Sequence, residues 1–123
     1  MQKRSIELYL QDILECVDLI EEYTSHTSRE EFFENQQLVD AVVRRLGILG
    51  EAARQTPDGF RTEHPEVPWN RMIGMRNKIL HEYFGVDEAI LWQTIREDIP
   101  PLRAIIATLL QRQDRDGDGA RAA

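Results

Sequence analysis

Apolar residues along this chain recur three and four positions apart almost throughout, and almost nowhere in strict alternation. That is the period of a helix packed on one side, not of a strand. Ile6, Leu10, Ile13, Val17 and Ile20 form one stripe, which predicts a long amphipathic helix ending near Thr24. Ser28 and Glu31 have capping-box spacing and predict a second helix start, with a bend or break near Asn35. Leu38, Val42, Leu46, Leu49 and Ala53 then mark a buried face through about Arg54. Val39 and Val43 widen that face on a neighbouring side. Such width fits either a helix buried on several sides or one that meets a second copy of the chain.

Residues 56–68 contain three prolines and a glycine and are predicted to be the main loop. A third helix is expected from Trp69 to about Tyr83, closed by Gly85. Asp87 is a suitable N-cap for a fourth, with Leu91, Ile95 and Ile99 facing inward. Pro100 and Pro101 are expected to break the chain and open a fifth helix carrying Leu102, Ile105, Ile106, Leu109 and Leu110. These elements predict an all-α, up-and-down antiparallel bundle of four to five helices over residues 1–111, with 112–123 a disordered tail. Within that tail Asp114, Asp116, Asp118 and Gly119 reproduce the opening of an EF-hand loop. Its closing glutamate would fall past Ala123, so no calcium site is expected.

Charge and composition narrow the function. The net charge is −7, which argues against a general nucleic-acid binder. Its distribution is uneven, however. Residues 1–37 hold nine acids against three bases, whereas residues 44–83 hold seven bases against five acids. An acidic shell around a locally basic centre suits a basic partner, or an RNA gripped at one place. No apolar run approaches the ~20 residues of a membrane span, and the N-terminus lacks a signal-peptide core, so a cytoplasmic location is expected. Cys16 is the only cysteine and reads as a small buried hydrophobe. His26 and His64 have no histidine partner at helical spacing and read as solvated surface residues. Neither a metal nor a cofactor is expected. Trp69 and Trp92 read as packing residues.

The segment RMIGMRNKILHEYF collects different chemistry. Arg76 precedes His81 by five positions, Asn77 lies one helical turn before His81, and Tyr83 follows two positions after it. An arginine fork binds two phosphate oxygens and keeps its charge, while an imidazole exchanges protons near neutral pH. Such a pair could cleave RNA, the ribose 2′-OH supplying the nucleophile. The spacing alone is equally met by a structural arrangement, in which Arg76 pairs with Glu51 or another acid and His81 caps a helix C-terminus.

RNKILHEYF resembles the R-N-x-x-x-H-x-Y-F signature of HEPN domains, in particular the HepT-like toxins of HEPN/MNT toxin–antitoxin systems. YLQDILECVDLIEEYT, AVVRRLGILGEAAR, HPEVPWNRMIGMRN and YFGVDEAILWQTIREDIPPL are similar to that family's successive segments, so the resemblance covers about residues 5–110. It implies a HEPN-type bundle that forms a homodimer, bringing two Arg–His motifs to a shared cleft. It also implies a metal-independent endoribonuclease acting on RNA as a toxin, and an MNT-type nucleotidyltransferase as antitoxin partner. Arg76 and His81 would then be catalytic, Asn77 would orient His81 or the phosphate, and Glu51 would anchor Arg76. Tyr83 would be the residue the partner modifies with AMP. The alternative is a non-catalytic HEPN module that binds a nucleotide or its nucleotidyltransferase partner.

Overall fold

The computed structural model describes residues 5–81 and 87–122, with side chains given for residues 5–79 and 87–113. Four long helices carry the fold: α1 (Ile6–Thr24), α3 (Gln36–Gln55), α5 (Trp69–His81) and α7 (Ile99–Ala122). Between them lie α2 (Arg29–Glu34), α4 (Asp58–Glu63), α6 (Glu88–Gln93) and a π-helical turn, Thr94–Asp98. Among the described residues there is no strand. The helices begin where short polar side chains can take up free backbone N–H groups. Ser28 Oγ accepts from Glu31 N at 3.1 Å, Asn35 Oδ1 from Leu38 N at 3.1 Å, and Asp87 Oδ1 from Ala89 N at 2.7 Å. The predicted bend at Asn35 is therefore a full stop and restart.

Side-chain pairings give the direction of each helix. Arg45 of α3 acts on Cys16, while residues 47–55 of α3 share a cleft with Tyr9 and Asp12 near the start of α1, so α1 and α3 are antiparallel. Gly50 faces Met72 and Arg76, whereas Val43 shares a cleft with Arg76 and Ile79, so α3 and α5 are antiparallel too. Arg103 meets Asp18 at 2.9 Å and Arg96 reaches Thr24, which sets the last helix antiparallel to α1. The result is an up-and-down bundle with α3 between α1 and α5, and α7 closing against α1. Its core holds the predicted stripes: Leu10, Ile13, Val17 and Ile20 meet Val42, Leu46, Leu49 and Ala53, with Ile95, Ile99, Leu102, Ile106 and Leu109. Val39 and Val43 are only half-buried. No helix among the described residues is long and apolar enough to cross a membrane.

Four expectations need correction. Residues 56–68 are not all loop, because the buried ring of Phe60 anchors α4, packing 6.3 Å from the Trp69 ring. His64 is not a solvated surface residue. Its ring lies 4.3 Å from Phe60, its Nδ1 is 3.1 Å from Glu66 Oε1, and its carbonyl accepts the Trp69 indole N–H at 2.9 Å. Pro100 and Pro101 do not break the chain; they sit in the first turn of α7. A proline clashes with the carbonyl four residues back, and the wide π turn immediately before gives that carbonyl room. Finally, the α7 backbone stays helical to Ala122, across the stretch expected to be a disordered tail. Among the side chains described, Leu109 is the last that is buried, and the helix formers Gln111, Arg112 and Gln113 extend the register.

Candidate functional site

The site begins with a misfit in the pattern of α5. Met72 and Ile79 are buried, and Arg76 falls between them at spacings of four and three, on the side of the helix that faces α3. A long cation at such a position needs room and partners. Gly50 of α3 supplies the room: a β-carbon there would stand 2.7 Å from the Met72 carbonyl oxygen and closer still to Arg76 Cβ. Only a residue without a side chain lets the two backbones approach so closely.

Glu51, the next residue, supplies the partner. Its Oε2 lies 2.7 Å from Arg76 Nε, and the Arg76 side chain keeps 22% of its exposure. The same carboxylate accepts from Arg54 at 2.8 and 3.1 Å and from Gln55 Nε2 at 2.8 Å. The Arg54 and Gln55 hydrogen bonds, with the Arg76 charge adding to them, hold the Glu51 carboxyl down at about 2. Asn77 Oδ1 accepts from Arg76 Nη1 at 2.9 Å. Two of the guanidinium nitrogens are thus fixed, and Nη2 has no hydrogen-bond partner among the described residues.

Arg76 lines a cleft of about 510 Å³ between α1, α3 and α5, with Val43, Gly47 and Ile48 as apolar surface and Arg44 as a second cation. Arg44 and Gly50 are the residues that motif reading passed over. Gly50 was visible only as the neighbour of Glu51 in GEAA, and Arg44 only as one of the local excess of bases.

The structure brings Arg76, Asn77 and Glu51 together. His81 is the last residue of α5, and its side chain lies outside the described residues, as does Tyr83 altogether. Cys16 is buried against α3, and burial pushes its thiol up to about 11, consistent with an inert packing residue. Trp69 is buried, and half-buried Trp92 packs on Phe32 with Arg96 over its ring. Among the described residues no group of three or more His, Cys, Asp and Glu could hold a metal ion.

The chain is an antiparallel helical bundle with a half-buried arginine five residues ahead of a helix-terminal histidine, the arrangement that the HEPN resemblance implies. The family model described as "Ribonuclease HepT-like" matches residues 13–109, and the chain belongs to that family. It is similar to a protein of Thermococcus cleftensis named "Probable ribonuclease HepT", 48% identical over 82% of this chain and 92% of that protein. It is also similar to a Methanocaldococcus jannaschii protein named as a "Putative RNase", 41% identical over 84% of this chain and 94% of that one. A further relative from the same organism, named "Gamma-glutamylcyclotransferase and putative RNase", is 37% identical over 93% of this chain, which spans about half (51%) of its length. No solved structure matches the chain.

Proposed function

We propose that this chain is an endoribonuclease toxin that cleaves RNA at Arg76 and His81. The observation that carries the reading is the Arg76 guanidinium, held at Nε by Glu51 and at Nη1 by Asn77 on the rim of an open cleft. Holding an arginine before the substrate arrives removes the cost of ordering it during reaction. Phosphate oxygens would be met by Nη2 and by whatever share Glu51 and Asn77 release. In the reaction, the ribose 2′-oxygen attacks phosphorus and its proton passes to a base. The bond to the 5′-oxygen breaks, and that oxygen takes a proton from an acid. His81 serves one of these proton transfers, and Arg76 neutralises the charge that builds on the non-bridging oxygens. This scheme asks for no metal. Asn77 orients the phosphate through Arg76 Nη1, which it holds; the alternative that it orients His81 falls on a side chain outside the described residues.

Half-buried Val43 and Ile48 of α3 line the Arg76 cleft as apolar surface. A second copy docked there would bring two clefts together, as a homodimeric ribonuclease requires. The family resemblance adds a nucleotidyltransferase antitoxin as partner and Tyr83 as the residue it modifies. An adenylyl group on Tyr83, seven positions from Arg76, would add negative charge and bulk where an RNA phosphate must enter. A cytoplasmic setting follows from an RNA substrate.

Arg76→Ala and His81→Ala should each abolish RNA cleavage and growth arrest while the far-ultraviolet circular dichroism stays helical. A His81→Ala variant that still arrests growth would refute the reading. The intact mass of the chain after incubation with the neighbouring nucleotidyltransferase and ATP tests Tyr83, with Tyr83→Phe as the control. One observation favours a second reading, a non-catalytic HEPN module that binds its partner or a nucleotide. Glu51 occupies Arg76 in the free chain, as a purely structural arginine would be occupied. That reading predicts tight complex formation and no cleavage by the unaltered chain.

A further inference from the structure

Of the described helices, α5 alone contains no acidic residue, although the chain as a whole is strongly acidic. Its charges are Arg71, Arg76 and Lys78. Arg76 faces α3, but the other two point outward. The Arg71 side chain is 71% exposed, and Lys78 is exposed one turn from the helix end. Asn70, Gly74 and Asn77 are exposed on the same side. At helical spacing positions 70, 71, 74, 77 and 78 make one continuous face. Gly74 lies at its centre, and a β-carbon there would meet nothing within 4 Å, so this stretch of helix backbone is open to close approach. Asn77 belongs to this face and also accepts from Arg76 Nη1, so it joins the outward face to the catalytic arginine.

Arg71 has one carboxylate partner, Asp98 of the π turn, at 3.3 Å. An ion pair this exposed is weak, so a phosphate can compete for the guanidinium. Arg71 and Lys78 are seven residues apart, roughly 10 Å along the axis. That exceeds the separation of neighbouring phosphates, so the two cations meet different ones. The amides of Asn70 and Asn77 both donate and accept, which suits ribose hydroxyls.

We infer that the outward face of α5 is the track on which a single-stranded RNA backbone lies as it enters the site, with Arg71 and Lys78 each holding a phosphate and Asp98 competing for Arg71. The inference rests on the ribonuclease reading for its substrate class, but its test does not depend on cleavage. Arg71 and Lys78 are the cations this helix offers in place of a basic surface, and they act against Glu66, Glu97 and Asp98, which line the same groove.

The experiment is equilibrium binding of a fluorescent single-stranded RNA to the full chain carrying His81→Ala, across a series of salt concentrations. Each phosphate contact on a single strand contributes about 0.7 to the slope of log affinity against log salt. Arg71→Ala with Lys78→Ala should make that slope shallower by about 1.4 and weaken binding by roughly an order of magnitude at low salt. Arg103→Ala removes one positive charge from α7, where Arg103 pairs with Asp18, and should leave the slope unchanged, whereas Arg71→Ala or Lys78→Ala alone should each lower it by about 0.7. Asp98→Asn should tighten binding several-fold, and that gain should vanish when Arg71 is alanine. An unchanged slope in the double variant, an equal change from Arg103→Ala, or no RNA binding by the His81→Ala chain would each overturn the track. Cleavage by the unaltered chain with no effect of the double variant on the slope sinks the track and leaves the ribonuclease reading standing. The expected slopes with no cleavage by the unaltered chain do the reverse.

Discussion

Replacing Gly50 with alanine is the most discriminating single perturbation of this site. The added carbon would lie 2.7 Å from the Met72 carbonyl oxygen and nearer still to Arg76 Cβ. Ordinary contact lies near 3.5–4 Å, so α5 must retreat from α3 by about 1 Å. Both obstructing atoms belong to backbone or to a β-carbon, so no side-chain rotation relieves the clash. Overpacking of this kind costs about 1–3 kcal/mol, against a gain of ~1 kcal/mol from removing a mid-helix glycine. The net loss is about 0–2 kcal/mol. Gly47 is the internal control: it lies one turn earlier in the same helix, and a β-carbon there meets nothing within 4 Å. Gly47→Ala should therefore gain up to ~1 kcal/mol. The two variants should differ by about 1–3 kcal/mol, which for a domain of this size separates their melting temperatures by roughly 5–15 °C. Activity should suffer more than stability in Gly50→Ala, because the displaced atom is the root of Arg76. A displacement near 1 Å at a catalytic group can cost ~100-fold in rate. Thermal unfolding by circular dichroism and cleavage of a fluorogenic RNA check both halves. Should Gly50→Ala melt as high as Gly47→Ala and cleave as fast, the close approach does not position Arg76.

Two further perturbations follow from the same contacts. Glu51 is a carboxylate held below its ordinary value of 4.5, at about 2, so the stability it adds is present above pH ~4.5 and is lost as pH falls toward ~2. Glu51→Gln should remove that dependence, so that urea midpoints of the variant and parent converge between those pH values; solvent screening at 37% side-chain exposure keeps the gap small. Arg96→Ala removes hydrogen bonds to the carbonyls of Thr24 at 3.0 Å and Thr27 at 2.6 Å and a cation held 4.4 Å from the Trp92 ring centre. It should cost about 1–3 kcal/mol in thermal or urea unfolding, with Arg96→Lys recovering only part, because an ammonium cannot stack and fork at once.

The four long helices were legible in the sequence because their signals are local. Stripes at spacings of three and four, the caps at Ser28 and Asp87, and the break near Asn35 need no knowledge of what lies across the core. The errors came where a distant contact overrode a local rule. Phe60 sits alone among polar residues and prolines, and only the Trp69 and His64 rings, brought in by the fold, turn its surroundings into a helix. Pro100 and Pro101 should stop a helix, yet Ile95, Ile99 and Leu102 are all buried on one side. Keeping that face continuous through a π turn is worth more than a clean break. At the site, the motif resemblance pointed to Arg76 and to Glu51 as its anchor, and the 2.7 Å ion pair joins them. Gly50 escaped notice because the need for a missing side chain is set by the other helix.

A net charge of −7 and an RNA substrate are compatible only if the charge that RNA meets is local. The nine acids of residues 1–37 all sit on α1 and α2, and Asp18 is already paired with Arg103. At physiological ionic strength fields fall off over about 8 Å, while packed helix axes lie about 8–10 Å apart. An acid on the far side of α1 is therefore screened before it acts across α3 on the outer face of α5. The charges lining the groove beside that face are Arg71 and Lys78 on α5 itself, with Glu66, Glu97 and Asp98 opposing them. Arg71 and Lys78 line that groove themselves, so an RNA phosphate competes there with these carboxylates, and Asp98 already holds Arg71. An acidic protein built this way restricts RNA to one approach, and the many acids elsewhere suppress binding at any other surface.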